Sequence, residues 1–490
     1  MLPKSSYLPH FPHHLQGSAR PSAATRLARG LRKLQELGLP DIVAALGSLF
    51  SQDFFLKAPG ARAVRERIYT PVTVFWAFLN QVLCPGMACQ EIVGKVHAWL
   101  VTRRRNPLRP ALATSAFCDA RSALSPRFVT AAFDELAAAL SQRAELAWLW
   151  CGRRVKVIDG TSASMPDTPA NQQEWPQPST QKPGCGFPIT KMLAIFCLST
   201  GGWLGWALSK WNRHDLGLWH QLEHLLHKGD VLLGDAGFCA WSLMAELQAR
   251  GVDTVFRLHQ KRSKDLRRGR SLGSGDRLQT WAKPAQRPAT SPWSQEQFDA
   301  LPAQIAVRVL KVRVTRKGFR TTCIWIATTL LDVKKYSAAQ LAELFYRRWS
   351  IELFLRDIKT TMHMDVLRCK SPEMVRKEIT FHAIAYNALR LLMLQSAARH
   401  GSELGRLSFK AALDLVRQWL PKAAGCLGHP RKLEAWQDEL LLAISEVQNP
   451  HRPGRLEPRA KKRRPKNYQL LTKPRHEFRE IPHREKYRAP

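Results

Sequence analysis

RRVKVIDG, residues 153–160, decides how the rest of the chain is read, because a short run of strand-forming residues stops on an acid. Val155, Val157 and Ile158 favour extended backbone, and Gly160 opens a polar, proline-rich stretch through Pro188, so the spacing predicts a short strand ending on Asp159. A second apolar run, DVLLGD (230–235), ends the same way on Asp235. Between them, MLAIFCLSTGGWLGWALS (192–209) has no charged residue, but Thr200, Gly201 and Gly202 divide it into two apolar arms. That division predicts a buried β-hairpin and argues against a membrane span. LGLWHQLEHLL (216–226) and AWSLMAELQAR (240–250) read as helices, and VDTVFRL (252–258) as a strand.

The resulting order of strand, hairpin, helix, strand, helix, strand matches an α/β fold with a ribonuclease H-like core, in which an antiparallel meander meets a parallel strand and helices cover both faces. In such a core the carboxyl ends of the first and the parallel strand adjoin, which makes Asp159 and Asp235 neighbours. Around it the organisation is read as a helical amino-terminal region (1–150), a first part of the core (151–261) and a β-rich insertion (262–337). A returning part of the core (338–400), a helical region (401–447) and a basic tail (448–490) follow. The insertion is marked by KRSKDLRRGRSLGSGDR (261–277) followed by alternating residues in IAVRVLKVRVTRKGFRTTCIWIATTLL (305–331).

The 490 residues carry 75 Lys and Arg against 39 Asp and Glu, a formal net charge of +36. Such an excess repels itself unless a polyanion is near, which makes nucleic acid the expected partner ahead of an anionic membrane surface. The last forty residues alone hold 14 Lys or Arg against 4 Glu. Ten scattered cysteines without a CxxC pair suggest neither a zinc ribbon nor a disulfide framework. With no apolar leader in the first residues, a cytoplasmic location is expected.

FYRRWSIELFLRDIK (345–359) supplies a third acid. At about 100° per residue, Arg348, Arg356 and Lys359 fall within about 40° of Glu352, beside an apolar stripe of Ile351, Phe354, Leu355 and Ile358. Ion pairs on a solvated helix would give the same pattern, as a turn would give Asp-Gly at 159–160. Two aspartates at strand ends and one glutamate on a later helix are also the oxygen donors that two Mg²⁺ or Mn²⁺ ions need for phosphoryl transfer. HQLEH (220–224), continued by His227, fits a zinc-peptidase pattern, although His at such spacing is common on amphipathic helices.

IDGTSASMPDTPAN (158–171), LLGDAGF (232–238), FYRRWSIELFLRDIK and TTMHMDVLRCKSPEMVRKE (360–378) together resemble the DDE transposases of bacterial insertion sequences, in the branch typified by insertion sequence four. That branch carries Tyr, Arg, Glu and Lys separated by two, three and six residues. Arg348, Glu352 and Lys359 keep the last two intervals, whereas Phe345 stands at the tyrosine position and Tyr346 follows it.

The resemblance implies that Asp159, Asp235 and Glu352 are catalytic metal ligands and that Arg348 and Lys359 contact DNA phosphate. It also implies that an insertion tryptophan, matched by Trp325, stacks on a flipped base, and it leaves open a DNA contact for Tyr346. Cut-and-paste transposition is then expected, acting on double-stranded terminal inverted repeats and target DNA, with a hairpin intermediate and a homodimer holding two ends. The alternatives are a nuclease of the same fold without strand transfer, and a catalytically silent DNA-binding derivative.

Overall fold

The computed structural model describes residues 39–450, apart from 52, 56–67, 104–110, 145–147, 263, 289–290, 317–318 and 427–428, together with 472–474 and 477–478. Most of the basic tail and the first 38 residues therefore lie outside the described residues. The helices are α1 (Pro40–Leu46), α2 (Pro71–Leu83), α3 (Cys89–Arg103), α4 (Ser115–Ala123), α5 (Pro126–Gln142), α6 (Pro169–Glu174) and α7 (Trp241–Ala249). They continue with α8 (Gln295–Asp299), α9 (Ala338–Arg347), α10 (Ser350–Arg356), α11 (Pro372–His400), α12 (Phe409–Ala423) and α13 (Pro430–Glu446).

The described chain forms two compact units. The first takes residues to 132 and 395–449, and so joins amino-terminal helices with carboxy-terminal ones. Its core holds a cluster of rings in which Phe50, Phe55, Phe75, Trp76 and Phe128 meet mostly edge to face, the preferred arrangement for aromatic quadrupoles.

The second unit, from 133 to 394, is built on one nine-stranded sheet in the order β3-β2-β1-β4-β5-β9-β8-β7-β6. Its strands are β1 (Val155–Ser164), β2 (Ile189–Cys197), β3 (Trp203–Lys210), β4 (Val231–Gly234), β5 (Asp253–Arg257), β6 (Arg270–Gly273), β7 (Asp276–Ala282), β8 (Gln304–Arg316) and β9 (Phe319–Thr328). β1, β2 and β3 form an antiparallel meander, and β1, β4 and β5 run parallel. This is the ribonuclease H-like core expected from the order of elements. The predicted hairpin is β2 and β3, turning through Gly201 at φ +69°, a left-handed position that suits glycine.

The strands within 262–337, expected as an insertion, extend that same sheet. β9 pairs antiparallel with β5 through Val255–Thr328, Phe256–Ala327 and Arg257–Ile326, and β8, β7 and β6 follow outward. One face of the sheet buries Ile158, Ile195, Leu232 and Phe256 against Trp219, Leu222 and Leu243 of the segments around α7. On the other face Phe196 meets Phe354 of α10 and Tyr386 of α11, and the Tyr386 hydroxyl donates to the Gly201 carbonyl at 2.7 Å.

Three local expectations are corrected. β1 does not stop at Asp159 but runs to Ser164, held by continuous antiparallel pairing with β2 as far as Ile189. The stretch 216–226 is not an α-helix; Asp215–Gln221 and Glu223–Leu225 are 3₁₀ turns, whose tighter winding packs Leu218, Trp219 and Leu222 onto the sheet. The segment 345–359 is not a uniform helix either. Arg348, Trp349, Ile351 and Glu352 bond back three residues, which tightens the junction of α9 and α10, and a π-helix follows at Asp357–Thr361. Among the described residues no helix is long and apolar enough to cross a membrane.

Candidate active site

The register of β1 and β4 brings two of the acids together. The parallel pairing ends at Val157 opposite Leu233, and Asp159 and Asp235 each stand two residues beyond that pair. β4 ends at Gly234, so β1 continues past it, and its edge on this side next meets the chain at Ser164, which bridges to Val366. Each carboxylate is fixed by a local amide: Asp159 Oδ1 accepts from Gly160 N and Asp235 Oδ1 from Gly237 N, both at 2.8 Å. Asp235 thereby caps the short 3₁₀ turn Ala236–Phe238.

Arg348 connects the third acid. One guanidinium nitrogen lies 3.8 Å from Asp159 Oδ2 and the other 3.5 Å from Glu352 Oε1. Lys359, in the π-helix, donates to Thr161 Oγ1 at 3.1 Å, two residues after Asp159 on the same face of β1. The chain beyond the π-helix is tied to β1 as well, since Ser164 N donates to the Asp365 carbonyl at 3.0 Å and Leu367 N to the Ser164 carbonyl at 2.8 Å. Asp159, Glu352, Arg348 and Lys359 are thus held by one strand and the helical segment laid over it.

Burial pushes the Asp159 carboxyl up to about 6, and the negative charges of Asp235 and Asp215 add to this, while the Gly160 amide and Arg348 act against it. Like charges gathered in a half-dry setting call for a cation. The all-oxygen donor set suits a hard divalent ion, so the residues present fit the metal that the fold implies. However, the oxygens of Asp159, Asp235 and Glu352 do not all lie within 4.8 Å of one another; among the described residues only His220, Glu223 and Glu246 meet that spacing. Arg348 occupies the place between Asp159 and Glu352.

The His220 group is engaged otherwise. Glu246 accepts from the indole nitrogens of Trp219 at 3.2 Å and Trp293 at 2.6 Å and pairs with Arg250, while His220 Nδ1 faces Glu223 at 2.9 Å. In a 3₁₀ turn His220 and His224 also lose the shared face that the zinc-peptidase pattern needs from an α-helix.

Trp325 is half-buried on β9, with Lys311 Nζ 5.6 Å from its ring. It lines an open cavity of about 300 Å³ with Ala236, Gly237, Arg257, His259 and Lys264, so the aromatic ring and the residues after Asp235 share one wall. Phe345, at the tyrosine position of the motif, is buried beneath Arg348. Tyr346 is exposed, as are Trp349 and Leu353 at intervals of three and four. Sequence reasoning missed Thr161, Lys191, Asp215 and Trp349. Asp215 stood inside what read as the approach to a helix, and only the fold shows what it touches.

Residues 150–388 match the family described as transposase DDE domain. The chain is thus similar to the DDE transposases over the part that carries the acids. The chain is 27% identical over 327 residues to transposase InsG for insertion sequence element IS4 of Escherichia coli, covering 66% of this chain and 71% of that one. A shorter match, 39% identical over 57 residues, links 12% of this chain to 15% of the transposase for insertion sequence element IS421 of Escherichia coli. Among solved structures, the cryo-EM structure of piggyBac transposase synaptic complex with hairpin DNA aligns at a TM-score of 0.41 and 8% identity, over 85% of this chain and 86% of that one.

Proposed function

We propose that this chain is a transposase that moves an insertion sequence by cutting both ends and pasting them into target DNA. Asp159, Asp235 and Glu352 would hold a pair of Mg²⁺ or Mn²⁺ ions, which when bound supply activation of the attacking oxygen and stabilisation of the leaving one. The chain's own groups bind and orient the DNA. Arg348 exchanges its two carboxylate partners for the scissile phosphate, a bidentate acceptor that a guanidinium matches well. Lys359 approaches the same strand from its anchor on Thr161.

Trp325 offers a ring to an unstacked base, with Arg257 and Lys264 around the cavity to meet the backbone. Water nicks the end, the freed 3′-hydroxyl attacks the opposite strand to close a hairpin, and the reopened end joins the target. The amino-terminal helices read the terminal inverted repeats, and two copies of the chain hold two ends together.

The observation that carries this reading is the double contact of Arg348 with Asp159 and Glu352, at a place where β1 has outrun its parallel neighbour. The test is incubation of the purified chain with Mg²⁺ and DNA bearing the ends that flank its own gene. Nicked, hairpin and joined products are expected in that order. Cleavage without joining would make it a nuclease, and binding without cleavage a silent derivative.

A further inference from the structure

Gly160 is a glycine inside a paired strand, opposite Leu193, and its φ is not among the left-handed ones, so backbone conformation does not demand it. Space does. A Cβ at this position would stand 2.7 Å from Oδ2 and 2.8 Å from Cγ and Oδ1 of Asp215, closer than unbonded atoms come. The missing side chain is what lets a carboxylate lie against the strand one residue after Asp159.

That carboxylate is held from the other side. Lys191 of β2 places its Nζ 3.0 Å from Asp215 Oδ1 and also donates to the Arg213 carbonyl at 2.9 Å, which pins the start of the Asp215–Gln221 turn. Asp215 Oδ1 is itself buried. Side chains alternate along β1, so the Gly160 position faces Asp215 while Asp159 faces Arg348. The Asp215 charge reaches Asp159 across the strand in addition to that of Asp235.

We propose that Asp215 is a fourth acid of the site, a positioning residue that Lys191 holds against Gly160 and whose charge strengthens cation binding at Asp159 and Asp235 without ligating the ion. This rests on the metal reading given above. A negative charge just behind a ligand deepens the potential at the ion and leaves the ligand count unchanged.

The test is Mn²⁺ binding to the full-length chain without DNA, followed by electron paramagnetic resonance of the free ion. Asp215→Asn, nearly isosteric, should weaken binding roughly tenfold, whereas Asp159→Asn should abolish it. If Asp159→Asn binds Mn²⁺ as the parent does, the metal reading itself fails. If Asp159→Asn is defective and Asp215→Asn is not, only the fourth acid is overturned.

A second arm asks whether the glycine serves the carboxylate. Gly160→Ala should weaken Mn²⁺ binding in the parent and change nothing further in an Asp215→Ala background. An equal loss in both backgrounds would overturn the steric link between the two residues.

Discussion

Arg348 sits where a cation is wanted, between Asp159 and Glu352. It only partly relieves Asp159, whose carboxyl burial still pushes up to about 6. The proton is therefore held more tightly in the folded chain than in the unfolded one, where an aspartate titrates near about 3.9. The resulting stabilisation is complete below the unfolded value and is lost as pH rises through about 6. Asp159→Asn, which has no charge to bury, should gain on the order of 2–3 kcal/mol over the parent at pH 8 in EDTA. The gain should shrink toward zero near pH 4, as followed by urea unfolding. Glu352→Gln bears on function instead: end binding in gel-shift assays should persist and Mg²⁺-dependent nicking should vanish. Retained nicking would remove Glu352 from the ligand set. Trp325→Ala should impair cleavage more than Trp325→Phe does, with rescue by an abasic nucleotide at the position of the unstacked base.

At the scale of elements, the insertion strands are tied to the helix-bearing segment by a buried charge. Arg308 of β8 is fully buried, grips Asp276 of β7 at 2.6 Å, and donates to the Tyr336 carbonyl just before α9. Arg308→Ala leaves Asp276 unpaired and should cost about 3–5 kcal/mol in urea unfolding. The pair Arg308→Met with Asp276→Leu should recover most of that loss, because no charge is then stranded. The same scale explains what the sequence disclosed. The hairpin, the order of the core strands and the adjacency of Asp159 and Asp235 were legible because apolar runs and the turn residues that divide them are local signals. The extension of β1 to Ser164 was not, since its residues are polar and only pairing with β2 makes them a strand. Neither was the π-helix at Asp357–Thr361, since one wider turn leaves no mark in composition. Asp215 became visible only through the space above Gly160.

For the whole molecule, the net charge of +36 sets the conditions for binding. Affinity for DNA should fall steeply with salt, and removal of the residues after Pro450, with their 14 Lys or Arg and 4 Glu, should both weaken it and flatten the slope. An unchanged slope would take that tail out of the interface. The unbroken sheet has a consequence of its own. Asp235, at the end of β4, and Trp325, on β9, belong to a single hydrogen-bonded plate and are separated by two strand intervals. Neighbouring strands lie about 4.8 Å apart, which makes this offset about 10 Å, close to three steps of stacked duplex at about 3.4 Å each. On the reading proposed here, the plate works as a ruler: the flipped nucleotide and the cut keep a constant count between them, whatever bases an element's ends happen to carry.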